Sequence, residues 1–157
     1  MKWISLSDAL EKQRTEPKKI FIDFYANWCG PCKTMDKETY NNPVISELIN
    51  TNFYPVKFDA ETNEVLKIYN KEFTNPDFKQ GAKKNSLHEF TKFMNVNSIP
   101  SIVFLDEVSN PITILNGLLF PKEIEPYISM IATDEFKKIK TRKDWDDYQK
   151  KFKSKLK

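Results

Sequence analysis

The chain has 157 residues, 39% apolar and 13% aromatic, enough for the core of one domain, or of one domain with an extension. No apolar run approaches the ~20 residues that cross a bilayer. Three glycines argue against a Gly-rich phosphate loop, and two cysteines with one histidine cannot supply the four ligands of a structural zinc site. The net charge of +3 is uneven: residues 1–135 hold 15 basic and 19 acidic side chains, residues 136–157 hold 10 and 3.

Ser5-Leu-Ser-Asp8 has the Ser-x-x-acid form of a capping arrangement and predicts a helix over 5–14. Pro17 and two lysines lead into Ile20-Phe-Ile-Asp-Phe-Tyr25, apolar on both faces as in a strand buried between helical layers, with one acid, Asp23, inside it. Ala26-Asn-Trp-Cys-Gly-Pro-Cys32 comes next, then a helix-period stretch to about residue 39. Asn42-Pro43 reads as an N-cap with proline at the first helical position of a segment reaching residue 48. Residues 53–59 predict a second strand, and 62–73 a helix with Val65, Tyr69 and Phe73 on one stripe. The chain then turns polar as far as Asn85. Ser86-Leu-His-Glu89 restarts a helix with a second capping box, which makes His88 a solvated helix-start residue. Residues 102–105 and 112–115 predict an antiparallel pair across a turn at 106–111, and 121–131 a helix. Met35 and Met94 read as core. In the basic stretch 136–157, Trp145, Tyr148 and Phe152 recur at i, i+3 and i+7. That stripe favours an amphipathic helix or tail packed on the domain over one contacting nucleic acid or anionic lipid.

Cys29-Gly-Pro-Cys32 lies where a buried strand gives way to a helix. The first cysteine of such a pair meets unpaired N–H groups and the positive end of the helix dipole, which favour an anion. Its thiol pKa should fall from ~8.5 towards neutrality. A thiolate there attacks a disulfide sulfur, and a thiol three residues on resolves the mixed disulfide. Cys29 is the expected nucleophile, exposed at the helix start, and Cys32 the more buried resolving thiol. Pro31 stiffens the turn and suits the first helical turn. A lone CxxC also reads as half a zinc site, but no second pair exists here.

Phe21-Ile-Asp-Phe-Tyr-Ala-Asn-Trp-Cys-Gly-Pro-Cys-Lys33 resembles the active-site segment of thioredoxins, and Asn97-Ser-Ile-Pro-Ser101 resembles their second signature, an Ile-cis-Pro facing the cysteines. Met35-Asp-Lys-Glu-Thr-Tyr-Asn-Asn-Pro-Val44 is similar to thioredoxin-like domains of bacterial extracytoplasmic thiol-disulfide proteins. The resemblance implies an α/β fold: a thioredoxin-like three-layer α/β/α sandwich over 1–135 with a mixed central sheet. A helical insert at about 71–95 would precede the cis-Pro strand, and a helical tail would follow at 136–157. It implies that Asp23 is the buried carboxylate that exchanges a proton with Cys32, and that Lys57 is its partner, although Lys57 reads equally as a surface lysine. Pro100 would be cis and would keep metal ions from bridging the thiols; the Ile99 backbone would pair with an extended substrate; Trp28, Gly30 and Pro31 would border the substrate. Gly117 falls where the family has a glycine, and Tyr25 stands where many members have a second Trp.

The activity implied is protein thiol-disulfide exchange, mainly disulfide reduction, because Gly-Pro between the cysteines resembles the reducing end of the family. An oxidase or isomerase, or a partner-binding module on the same scaffold, are the alternatives. A thiol peroxidase is disfavoured, since nothing supplies the Arg and Thr such a site needs. The resemblance implies no cofactor beyond the Cys29–Cys32 couple, no metal and no nucleic acid. It implies protein disulfide substrates, an upstream thiol or flavoprotein electron donor, and a monomer. No signal peptide opens the chain, which reads as cytoplasmic as it stands and as periplasmic if a leader preceded Lys2. The long segment between Asp59 and Pro100 reads either as a surface elaboration or as a recognition element beside the site.

Overall fold

The computed structural model describes residues 1–157. Helix α1 (Leu6–Gln13) starts where the Ser5 hydroxyl accepts from the Asp8 N–H at 3.1 Å. Strand β1 (Lys19–Tyr25) follows and ends just before the short α2 (Gly30–Met35). A π-helical turn, Asp36–Tyr40, then hands the chain to α3 (Pro43–Asn52), where the Asn42 side chain accepts from the Val44 and Ile45 N–H groups. Strand β2 (Phe53–Asp59) returns parallel to β1. A small hairpin, β3 (Leu66–Ile68) and β4 (Lys71–Phe73), precedes the short α4 (Glu89–Phe93). The chain then forms β5 (Ser101–Leu105), β6 (Pro111–Asn116), α5 (Pro121–Ala132), a 3-10 turn and α6 (Arg142–Lys151).

The main sheet runs β2-β1-β5-β6, with β1–β2 parallel and the other two pairings antiparallel. β1 is thus a central strand, which is why its residues are apolar on both faces. Ile20, Ile22 and Phe24 point into one core with α1, the hairpin and Phe90 of α4. Phe21 points into the other, with Met35, Ile45 and Ile49, Ile124 and Ile128. These side chains are almost fully buried, and each contributes about 1.5–3 kcal/mol of transfer free energy. The result is three layers with the mixed sheet in the middle, the α/β/α sandwich expected from the sequence.

Four local expectations fail, all between β2 and β5. Residues 62–73 are not a helix. Leu66 and Ile68 enter the first core at a period of two and Phe73 joins them from directly across the hairpin, opposite Leu66, while Val65 is 55% exposed. Tyr69 and Asn70 have φ of 58° and 57°, the left-handed pair that closes a two-residue hairpin. Nor does Ser86 cap a helix: His88 does, its imidazole Nδ1 accepting from the Phe90 N–H at 3.0 Å. His88 is fully buried, not solvated, because its Nε2 reaches the Glu64 carbonyl at 2.7 Å. Glu89 instead accepts from the Thr74 N–H at 2.6 Å. Of residues 71–95, only 89–93 are helical.

The C-terminal residues pack on the second core. Trp145 stacks on Tyr127 with ring centroids 4.6 Å apart, and Leu156 lies against the same core. Glu125, buried in α5, accepts from the Ser154 hydroxyl at 2.5 Å and the Lys155 N–H at 2.8 Å. No helix is long and apolar enough to cross a membrane.

Candidate functional site

β1 delivers the chain to the start of α2, and there Cys29 is the N-cap and Cys32 lies in the first turn. The two form a disulfide with Cα atoms 5.3 Å apart. The Cys29 Sγ accepts from the Cys32 N–H at 3.2 Å and lies 3.8 Å from the Ile99 carbonyl oxygen. Gly30 and Pro31 occupy the first helical positions, where the missing proline N–H leaves no bond unmade. Both cysteines are buried, at 2% and 3% exposure, so the expected contrast of an exposed Cys29 over a buried Cys32 is absent from their overall exposure. The difference lies in direction. A groove of about 330 Å³ is lined by Cys29, Gly30, Pro31, Trp28, Ile99 and Val96 among others, and Cys32 is not part of its wall.

The Ile99–Pro100 bond is cis. The Pro100 carbonyl accepts from the Gly117 N–H at 2.8 Å, and Gly117 needs its glycine because its φ is 91°. This bond ties the Pro100 loop to the end of β6 and fixes the Ile99 carbonyl beside Cys29.

Behind the pair, β1–β2 register sets Asp23 directly opposite Lys57. The Lys57 ammonium donates to Asp23 Oδ2 at 2.5 Å and to Asp36 Oδ1 at 2.6 Å. It also lies 4.7 Å from the Tyr25 ring centroid and 5.2 Å from that of Trp3. Lys57 is thus an ion-pair partner, not a surface lysine. Asp36 belongs to the same helical run as Cys32, and its N–H donates to the Cys32 carbonyl, so the charged cluster lies one turn beyond the second cysteine. Burial pushes the Asp23 carboxyl up to about 6; Lys57 opposes the rise and the neighbouring Asp36 charge adds to it. The Lys57 pKa is raised as well: burial lowers it, but the two carboxylates outweigh burial. Asp23 Oδ1 and the Tyr40 hydroxyl are buried with no partner. A surface cleft of about 470 Å³, lined by Trp3, Tyr25, Lys57 and Asp59, gives solvent a route to the ammonium.

On the other side, the Trp28 indole N–H donates to both carboxylate oxygens of Glu61 at 3.1 Å. Glu61 Oε1 also accepts from the Asn85 N–H at 2.8 Å, and the Lys84 ammonium lies 4.3 Å from the Trp28 ring centroid. Sequence reasoning missed Asp36 and Glu61. Asp36 was open to detection as the residue four positions after Cys32; Glu61 had no local signal, being 33 residues from the tryptophan it holds. No group of three or more His, Cys, Asp or Glu is placed to hold a metal ion.

Residues 6–132 match the family model described as a thioredoxin-like domain. The chain belongs to the thioredoxin-like domain family. The Cys29–Cys32 disulfide and the cis Ile99–Pro100 bond both lie within the matched residues. The thiol:disulfide interchange protein DsbD of Haemophilus ducreyi is 28% identical over 115 residues, 72% of this chain but only 16% of that protein. The chain therefore spans a minor part of the curated relatives it matches first. Among solved structures, a thioredoxin from Thermus thermophilus superposes with a TM-score of 0.62 at 15% identity, over 85% of this chain and 88% of that one. The reduced C-terminal domain of DsbD from Neisseria meningitidis gives a TM-score of 0.56 at 17% identity, over 80% and 92%. At these identities the two structures show the thioredoxin-like fold alone.

Proposed function

We propose that the chain is a protein-disulfide reductase. The observation that carries this reading is the Cys29 sulfur, which accepts a backbone N–H at the head of α2 and faces a groove wide enough for a client segment. In the reduced form, the Cys29 thiolate attacks one sulfur of a client disulfide, and the other client sulfur leaves as a thiolate. The Cys32 thiol then gives its proton, through water, to the unpartnered Oδ1 of Asp23 and attacks the Cys29 sulfur. The client departs with both cysteines reduced, and the chain is left with the Cys29–Cys32 disulfide. An external dithiol or flavoprotein donor returns two electrons and two protons to the pair.

Lys57 and Asp36 let the Asp23 proton exchange with solvent, since the cleft beside Lys57 is open. Ile99 offers its backbone to an extended client, and Trp28, Gly30 and Pro31 form the surface it lies on. The Gly30-Pro31 pair supports reduction over oxidation, and the similarity to a thiol:disulfide interchange protein of Haemophilus ducreyi supports disulfide exchange in either direction.

The test has two parts. Dithiothreitol-driven reduction of insulin should proceed with the native chain and vanish in Cys29→Ser. Equilibration against glutathione should give a potential near the ~−270 mV of a reducing dithiol; one near the ~−120 mV of a strong oxidant would overturn the reductase reading.

A further inference from the structure

Residues 74–88 contribute no strand or helix, yet they are bonded firmly into the wall of the site. The Asn75 side-chain amide donates to the carbonyls of Glu61 and Thr62, each at 3.2 Å, and of Ser86 at 2.9 Å. The His88 N–H donates to the Ala60 carbonyl at 2.8 Å. Both ends of the segment are thereby tied to the turn after β2. Between them, the Lys79 N–H donates to the Asn85 side-chain carbonyl at 2.7 Å and closes a small loop over 79–85. Asn85 in turn donates to the Glu61 carboxylate that holds Trp28, and Lys84 lies over the same ring. Leu87 enters the groove beside Trp28, Val96 and Ile99. The loop carries Lys79, Lys83 and Lys84, all exposed, and Lys84 brings this charge to Trp28 in the wall of an apolar groove that opens on Cys29. Asp77 is the one acid between Thr74 and His88.

We propose that this segment is a client-recognition wall. It takes an extended, cysteine-bearing segment with an apolar side chain next to the cysteine and carboxylates on the far side of it. The inference rests on the disulfide-exchange reading above and adds to it the charge of the client. A groove of about 330 Å³ holds a side chain or two and not a folded surface, so the occupant is a flexible stretch. The lysines select its flank: each exposed carboxylate–lysine pair contributes a factor of about two, and three contribute roughly five- to tenfold. Lys84 is favoured for this because its cation is already held over Trp28 and loses little freedom on pairing.

The experiment uses the reduced 157-residue chain and two symmetrical peptide disulfides, Leu-Cys-Ser-Glu-Glu and Leu-Cys-Ser-Lys-Lys. Each reduction rate is divided by the rate of the same peptide with dithiothreitol, which removes their intrinsic difference in reactivity. The native chain should favour the acid-flanked peptide by roughly five- to tenfold at low ionic strength. The preference should fall towards unity at about 0.5 M salt, where exposed charges are screened. In Lys79→Glu, Lys83→Glu, Lys84→Glu the preference should reverse; these side chains are exposed, so the triple variant folds. A normalised ratio near one in the native chain, or the same ratio in both proteins, overturns the proposal. If the native chain reduces neither peptide, the disulfide-exchange reading falls and the recognition wall falls with it.

Discussion

Asp23 answers to two opposed requirements. Its place in the central strand buries it to 2% exposure, which disfavours charge, while Lys57 at 2.5 Å favours it. Burial wins, and the carboxyl titrates at about 6 against an ordinary 3.8. A folded-state pKa raised above the unfolded value means that the native state holds its proton more tightly. The resulting stabilisation is complete below about pH 4 and is lost as pH rises through about 6, leaving the ionised group as a burden above it. Asp23→Asn removes that burden, so the variant should be about 1–2 kcal/mol more stable than the native chain at pH 8, after allowance for a buried amide. The gain should shrink to nothing or reverse by about pH 4, a dependence that urea melts at the two pH values would reveal. The same variant should lose function: without a base for the Cys32 proton, resolution of the mixed disulfide slows by at least about 100-fold. Quenched reactions should then show client and chain still joined through Cys29. Equal stability differences at both pH values would mean that Asp23 has the same pKa folded as unfolded, so that its burial sets no titration cost.

At the scale of elements, the instructive part is the stretch from β3 to α4. Val65, Tyr69 and Phe73 recur every four residues, and this spacing imitates a helical stripe, but Leu66 and Ile68 also fit a strand. What decides the matter is tertiary: Tyr69 tolerates its left-handed φ because its hydroxyl donates to the Ser109 carbonyl at 2.6 Å and its ring packs on Phe93. Neither partner is near in sequence, so periodicity had no access to them. His88 was misread for the same reason. A histidine inside Ser-x-x-Glu looks solvated, yet the Glu64 carbonyl and the Phe90 N–H complete its two ring nitrogens, and Phe58 packs edge-on at 5.5 Å. The chain order of the four sheet strands, the cap residues of α1 and α3 and the cysteine helix were legible, because each depends on neighbours within a few positions. At the site, Asp23 and Lys57 were legible as residues, but the two carboxylates on one ammonium were not. His88→Ala should leave the Phe90 N–H buried and unsatisfied, strip the Glu64 carbonyl of its partner, and lower stability by about 1–3 kcal/mol in urea. A loss below about 0.5 kcal/mol would show that water replaces the imidazole at no cost.

For the whole molecule, the question is what the strongly basic C-terminus does. A free cationic arm would be solvated, but here two of its cations are paired along the helix, Arg142 with Asp146 at 3.1 Å and Lys143 with Asp147 at 2.9 Å, each at the i, i+4 spacing. Those pairs are exposed and contribute little. The attachment is apolar, through Trp145 on Tyr127 and through Tyr148 and Leu156 on the second core. It is locked by Glu125, whose carboxylate holds Ser154 and the backbone of Lys155 against α5. Half-burial of three such side chains stabilises by about 1 kcal/mol each. A chain ending at Lys140 should therefore lose about 3 kcal/mol, and the loss should persist at high salt because it is not electrostatic. Its redox potential should stay unchanged, since neither the disulfide nor the Asp23–Lys57–Asp36 cluster touches the removed residues. Glu125→Ala in the full chain should release the last turn, seen as a red shift and loss of intensity in the fluorescence of Trp145 relative to Trp145→Phe controls. Unaltered stability of the shortened chain at low salt would show that the tail rests on the domain without holding it.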